Sequence, residues 1–155
     1  MTREIIFPAR DGCICLDLQR AARAIGRRFD AACRPLDLTN GQFSLLMSLS
    51  RRGPNNIHRV ATFLAMDRTT LTAALKPLER RGLVTVTIDP ADRRQRRLAL
   101  TRQGRRLLAA AVPIWHREHS EIDALLGLEG SDRLHVDLRA LSGPAAAAAT
   151  FYAGR

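Results

Sequence analysis

The chain has 155 residues, of which 46% are hydrophobic, and carries 25 Lys and Arg against 15 Asp and Glu, a net charge of +10 at pH 7. This length predicts one domain with its own core and excludes two full independent domains. The basic excess favours a polyanionic partner, although charge alone does not separate DNA from RNA or acidic lipid. No apolar run approaches the about 18 residues of a bilayer span, and residues 1–8 lack the apolar stretch of an export signal, so we expect a cytoplasmic protein without a membrane partner.

A long amphipathic helix is predicted from Cys13 to Leu36. Its apolar residues recur at spacings of three and four: Leu18, Ala22, Ile25, Phe29 and Cys33. Cys13 and Cys15 near its start are interpreted as small apolar packers or, alternatively, as redox-active thiols, because a helix N-terminus favours the thiolate. Three cysteines in a cytoplasmic protein argue against a disulfide framework.

Two short helices are predicted next. The first is a buried helix, with Asp37 and Thr39 as candidate caps, that ends in the segment 51–54; its apolar residues are Phe43, Leu46, Met47 and Leu49. The second has Ile57, Val60, Ala61 and Leu64 on its apolar side. The link 65–67 to the following helix is so short that the two helices must cross steeply.

Residues 67–82 are predicted to form one helix, opened by Asp67 as its cap and closed by Gly82. Leucines occupy one face, and the opposite face carries short hydroxyls and cations: Leu71, Leu75 and Leu78 against Thr69, Thr72, Ala73, Lys76 and Arg80. The outer face suits a DNA major groove, although an ordinary solvated face has the same pattern. Pro77 removes the bond to the Ala73 carbonyl and predicts a kinked or loosened last turn.

A β-hairpin with a basic tip is predicted from Leu83 to Thr101, because two alternating segments flank turn residues at 89–92. Its tip holds Arg93, Arg94, Arg96 and Arg97 beside one acid, Asp92, a candidate partner for these arginines. One carboxylate cannot neutralise four guanidiniums, which favours phosphate and minor-groove contact. The order helix, tight turn, helix, hairpin indicates a winged helix-turn-helix, a mainly α (α+β) fold with a small β-hairpin.

A helix of about 25 residues is predicted after Thr101, broken or bent near Pro113, with a last helix from Ser131 to Leu141. The apolar stripes of the terminal helices exceed what a small winged domain covers, which predicts a partner subunit. His116 and His119 share a helical face without a third local ligand and are interpreted as a polar flank, so no metal site is predicted. No phosphate loop or nucleophile motif occurs, and we predict neither catalytic residues nor a cofactor.

Five segments in order resemble the MarR family of bacterial transcriptional regulators: Leu38–Leu46, Met66–Thr72, Leu78–Val84, Asp89–Arg94 and Leu100–Gly104. The resemblance, from about residue 12 to residue 142, implies one domain (1–155) with a winged helix-turn-helix at 38–101, dimerisation helices at 12–36 and 102–142, and an unassigned tail at 143–155. It implies a homodimer that straddles a near-palindromic operator, and a pocket between the dimerisation and DNA-binding regions. The expected DNA contacts are Arg68, Thr69, Thr70, Thr72, Ala73, Lys76, Asp92, Arg93, Arg94 and Arg96, with Arg94 in the minor groove.

The leading hypothesis is therefore a dimeric regulator, a repressor or an activator, whose affinity for operator DNA responds to a small-molecule effector. One alternative is a winged-helix module that binds phosphate, RNA or protein without reading sequence. The other is a peroxide sensor acting through Cys15, which resembles the sensor cysteine of some MarR-like regulators in position. Those sensors surround the thiol with tyrosines, whereas the only tyrosine here is Tyr152.

Overall fold

The computed structural model describes residues 12–51 and 55–143. In chain order they form α1 (Ile14–Cys33), a 3₁₀ turn (Arg34–Leu36), α2 (Asn40–Leu49), β1 (Asn55–Asn56), α3 (Ile57–Phe63), α4 (Arg68–Arg80), β2 (Val84–Ile88), β3 (Arg96–Leu100), α5 (Arg102–Leu126) and α6 (Leu128–Ser142). The prediction of a mainly α fold with a small hairpin is confirmed. Residues 52–54, most of the tail assigned to 143–155, and Tyr152 lie outside the described residues.

The hairpin belongs to a three-stranded antiparallel sheet in the order β1-β3-β2. Strand β1 was not predicted, and it pairs Asn55 with Leu98 and Asn56 with Arg97. Strand β3 is therefore central, which attaches the hairpin to the chain that leads into α3.

The core is built where α2, α4, the sheet and α5 meet. Its most deeply buried side chains include Leu46, Leu71, Leu78, Leu83 and Leu98. Because the three leucines of α4 face this core, the polar face of α4 is turned to solvent, as the pattern predicted. The predicted burial of Met47 is wrong: it is 40% exposed, since it lies on the side of α2 away from Leu45, Leu46 and Leu49.

The start of α2 is fixed by a reciprocal cap. The Thr39 hydroxyl accepts from the Gln42 amide at 3.2 Å, and the Gln42 side-chain oxygen accepts from the Thr39 amide at 3.1 Å. Thr39 is thus confirmed as a cap. Asp37 is not one, because its backbone is left-handed (φ 49°) and ends the 3₁₀ turn.

Both helical prolines lie inside continuous helices. Helix α4 runs through Pro77 to Arg80, and α5 runs through Pro113 to Leu126. Of the break or bend predicted near Pro113, the break is absent. The residues on either side of Pro113 are packed: Ala111 is buried, and Ile114 packs against the core. This packing keeps the helix continuous. Gly127, with φ 71°, separates α5 from α6, which begins three residues earlier than predicted. In the described parts of the chain, no helix has both the length and the apolar content needed to cross a bilayer.

Candidate nucleic-acid interface

Helix α4 is set at a fixed angle to α3 by a short turn and a strong cap. Ala65 adopts a left-handed conformation (φ 51°), and the Met66 amide returns to the Ala61 carbonyl at 2.9 Å. Asp67 then accepts from both the amide and the hydroxyl of Thr70, at 2.8 and 2.5 Å. Both bonds lower the pKa of Asp67, and the bond from the Thr70 hydroxyl has the larger effect. The carboxylate therefore stays anionic at the positive end of the helix.

The outward face of α4 presents Thr69, Thr72, Ala73 and Lys76 to solvent. The Thr72 hydroxyl donates to the Arg68 carbonyl at 2.7 Å, which leaves its oxygen free to accept from another donor. Thr70 has a structural role instead, because its hydroxyl proton is used by the Asp67 cap.

The tip of the wing is ordered by two aspartates. Asp89 accepts from the Ala91 amide at 2.9 Å and pairs with the Arg97 guanidinium at 3.5 Å. Asp92 accepts from the Arg94 backbone amide at 3.0 Å and from the Gln95 side chain at 2.9 Å. The Gln95 bond, and then the Arg94 amide bond, lower the pKa of Asp92. Asp92, the candidate partner of the wing arginines, instead bonds the Arg94 backbone and the Gln95 side chain, so its carboxylate is occupied by the turn itself.

Helix α4 and the wing enclose an open cleft of about 940 Å³. Seven of the ten predicted DNA contacts line it, namely Arg68, Thr69, Thr72, Ala73, Lys76, Arg94 and Arg96, whereas Thr70, Asp92 and Arg93 do not. The lining also includes Asn56, Ile57, His58 and Gln95, which the sequence did not indicate as DNA contacts because they become neighbours of α4 only in the fold.

The cleft is electropositive. Four of its lining side chains are cations, and none of the described residues that line it carries a carboxylate. Among the described residues, the side chains of Arg68, Lys76 and Arg94 make no hydrogen bond or ion pair. Because no internal partner neutralises these charges, the cleft is suited to a polyanion.

A second cavity, of about 320 Å³, lies between α1, α2, α5 and α6. Its walls are mostly apolar or aromatic, with a few polar groups: Ile25, Phe29, Asn40, Phe43, Ser44, Trp115, His119, Ile122, Asp123, Leu126, Ser131, Leu134, His135 and Leu138. The Ser131 hydroxyl donates to Asp123 at 2.5 Å. An apolar chamber with a small number of polar groups is the usual form of a small-molecule site.

His119 belongs to this cavity rather than to a polar flank. Its ring lies 4.1 Å from Trp115 and 5.2 Å from Phe29, and its Nδ1 is 3.1 Å from the Trp115 carbonyl oxygen. His116 packs edge-on against Trp115 at 4.8 Å. Across residues 12–51 and 55–143, no three His, Cys, Asp or Glu side chains are grouped as metal ligands would be.

A partly buried ion pair, which the sequence did not indicate, joins α1 to α5. Arg28 donates to Glu118 at 2.6 Å and also pairs with Glu121, and Arg117 donates to Glu118 at 3.0 Å. The Arg28 bond is the main reason that the pKa of Glu118 is lowered, and burial acts against it. Burial, with nearby Asp30 and Glu118, raises the pKa of the Cys33 thiol.

The two candidate redox cysteines lie at the start of α1. Cys13 is its half-buried N-cap residue, and Cys15 is exposed in the first turn. The peroxide-sensor hypothesis stays a prediction, because none of the described contacts bears on their reactivity.

The helix pair, the sheet and the electropositive cleft define a winged helix-turn-helix protein. The chain belongs to the MarR family, whose model matches residues 38–95. CouR bound to a 23-mer DNA duplex is 32% identical and superposes with a TM-score of 0.78 over 87% of this chain and 96% of CouR. MosR of M. tuberculosis in complex with DNA is 38% identical, with a TM-score of 0.78 over 87% of this chain and 97% of MosR.

Among curated relatives, the regulator HosA of Escherichia coli is 40% identical over 80 residues, which cover 50% of this chain and 58% of HosA. The repressor NicR of Pseudomonas putida is 37% identical over 82 residues, covering 53% of this chain and 51% of NicR. The chain thus spans little more than half the length of the curated relatives it matches. CouR has also been solved with p-coumaroyl-CoA bound, at 30% identity and a TM-score of 0.77. These relatives are regulators rather than enzymes.

Proposed function

We propose that this protein is a dimeric transcriptional repressor that binds a near-palindromic operator, and that a small-molecule effector changes its affinity for DNA. The observation that carries the proposal is the cleft between α4 and the wing, with four cations and no carboxylate among its described lining residues. DNA-bound CouR and MosR, which share this fold over most of the chain, support the same interpretation.

In the proposed complex, α4 enters the major groove, with Thr69, Thr72 and Lys76 toward base edges and phosphates. The wing follows the backbone and inserts Arg94 into the minor groove, where the narrow groove concentrates negative potential. Arg68 and Arg96, at the two sides of the cleft, contact phosphates.

Operator binding is tested by selecting genomic fragments and then challenging the complex with a large excess of random duplex. A specific regulator retains its operator, whereas a phosphate-binding module of the alternative kind does not. Arg94→Ala and Lys76→Ala should each weaken binding, with the protein still dimeric. Arg133→Ala on α6 is the charge-matched control and should bind like the parent, because Arg133 lies outside the cleft. Equal loss in all three variants, each still dimeric by sedimentation, would indicate general charge attraction and contradict the proposed interface.

The proposed dimer rests on uncovered apolar side chains of the terminal helices. Ile14 in α1, Leu125 in α5 and Leu128 in α6 are 65%, 79% and 81% exposed, and Val136 and Leu141 are also more than half exposed. Large apolar surfaces of this kind are ordinarily covered by a partner. Sedimentation should show a dimer. A footprint should show two half-sites about one helical turn apart on DNA. A monomer that protects one non-repeating site would contradict it.

The cavity beside Trp115 is the proposed effector site, since its aromatic and apolar walls suit a ring-containing ligand and its polar groups can orient one. We expect phenolic or aromatic-acid candidates to release DNA. Ile122→Trp should fill the cavity and abolish release while DNA binding persists, and Ser120→Trp, exposed on the same helix, should still respond. Release that persists in Ile122→Trp would place the effector elsewhere.

A further inference from the structure

Hydrogen bonds run without interruption from the first turn of α3 to the tip of the wing. Asn56 caps α3 by accepting from the Arg59 amide at 2.9 Å, and its side-chain nitrogen donates to the Gln95 side-chain oxygen at 2.7 Å. The Gln95 side-chain nitrogen then donates to Asp92 at 2.9 Å. The other oxygen of Asp92 accepts from the Arg94 backbone amide at 3.0 Å.

The donor and the acceptor are fixed at each hydrogen bond of this series. Both ends of the Asn56 amide and both ends of the Gln95 amide are used, so rotating either amide by 180° would bring like atoms together. Gln95 is held by its backbone as well, donating to the Asp92 carbonyl at 2.9 Å and accepting from the Asp89 amide at 3.1 Å. Gln95 is therefore the joint between the sheet and the tip of the wing.

This series of hydrogen bonds connects the two sides of the cleft. Asn56 and Gln95 both line the cleft, and they lie between α3, against which α4 packs, and the turn that carries Arg94. An exposed hairpin tip normally samples several conformations, and fixing one of them in advance reduces the entropy that binding must remove.

We propose that Asn56 and Gln95 are positioning residues for Arg94, which hold the tip of the wing at a set distance from α4 before DNA arrives. The inference rests on the proposed DNA-binding function. Gln95 and Asn56 act through the backbone of Arg94, whose guanidinium makes the contact. A wing that lacks these hydrogen bonds must be ordered by the DNA itself, so the affinity of the protein for DNA is lower.

The test exchanges the acid and the amide. Asp92→Asn leaves one acceptor oxygen for two donors, so the new amide nitrogen lies opposite either the Gln95 nitrogen or the Arg94 amide, and one of the two bonds is lost. Gln95→Glu places two carboxylates opposite each other and breaks the link between residues 92 and 95. The double variant restores the link with the donor reversed. The carboxylate introduced at position 95 would accept from both Asn56 and the new amide at position 92, whose oxygen still accepts from the Arg94 amide. The double variant also has the net charge of the parent.

Each single variant should bind operator about three- to tenfold more weakly. The double variant keeps the carboxylate at position 95 in the cleft lining and should bind at least about threefold more tightly than Gln95→Glu, which carries the same carboxylate without the restored link. In an Arg94→Ala background the same substitutions should have a smaller effect, since the residue they position is absent and only the change of charge at the cleft remains. Hydrogen exchange of the Arg94 amide in free protein should be slow in the parent and double variant and faster in both single variants.

The inference is overturned if the single variants match the parent in affinity and exchange, or if the double variant binds no better than Gln95→Glu alone. It is also overturned if their effects are undiminished in the Arg94→Ala background, which would indicate general destabilisation. Failure of the proposed function is recognised separately, as a parent protein that retains no operator against random duplex.

Discussion

Replacing Gly104 by alanine should destabilise the protein where the wing joins α5. A Cβ built on Gly104 would lie 2.1 Å from the Leu83 carbonyl oxygen, more than an ångström inside the 3.4 Å at which ordinary contact begins. Leu83 cannot move away freely, because its carbonyl accepts from the Thr101 amide at 3.0 Å. The Thr101 hydroxyl also caps α5 by accepting from the Gly104 amide at 3.0 Å.

The magnitude follows from two opposed effects. An extra methyl in a packed site costs about 1–3 kcal/mol, and occasionally more, when the neighbours must shift. Here the neighbour is backbone, so the cost lies at or above the upper end, whereas alanine in place of a helical glycine gains about 1 kcal/mol. The expected net loss is about 2 kcal/mol of unfolding free energy, a fall in Tm of about 4–8 °C for a chain of this size.

Thermal unfolding followed by circular dichroism measures this loss, with all variants at one protein concentration because dimerisation couples to stability. Gly41→Ala in α2 is the matched control, since its added Cβ meets nothing within 4 Å. We expect the control to melt at or slightly above the parent temperature. A Gly104→Ala protein as stable as the parent would show that α5 and Leu83 are not packed as described.

Glu118→Gln should lower the unfolding free energy by about 1–3 kcal/mol in urea titration, because it weakens the bond from Arg28 to a buried carboxylate. The folded-state pKa of Glu118 lies below its unfolded value, so this stabilisation is present above about pH 4.3 and is lost as the pH falls through the folded pKa. The difference between parent and variant should therefore shrink on acidification, and a difference that grows would contradict the ion pair. Thr39→Ala removes half of the reciprocal cap with Gln42 and should cost about 1 kcal/mol in the same titration, and an unchanged midpoint would refute the cap.

Helix α4 could be predicted because its determinants are local. The cap Asp67, the leucine stripe and the terminal Gly82 all lie within one short stretch, and each occupies the predicted place. The same holds for the hairpin, whose alternating residues and turn chemistry are contiguous.

The features that were missed depend on distant partners. Strand β1 consists of two asparagines with no apolar pattern, and it is a strand only because β3 pairs with it. The ion pair joins Glu118 to Arg28, which lies 90 positions away in the sequence. The side-chain hydrogen bond of Asn56 is to Gln95, which lies 39 positions away. Pro113 was expected to break or bend α5, and the break does not occur, because packing on both sides of Pro113 outweighs the local preference.

The continuity of α5 through Pro113 connects the root of the wing to the cavity by one helix. Its first turn is fastened to the root of the wing at Leu83, and its middle carries Trp115 and His119 into the cavity. At about 1.5 Å per residue, Gly104 lies about 16 Å along the axis from Trp115. A tilt of about 10° about Trp115 would thus carry the root of the wing about 3 Å, comparable to a hydrogen-bond length. Under the proposed function, a ligand that displaces the indole would move the wing through this helix and weaken DNA binding without touching the cleft.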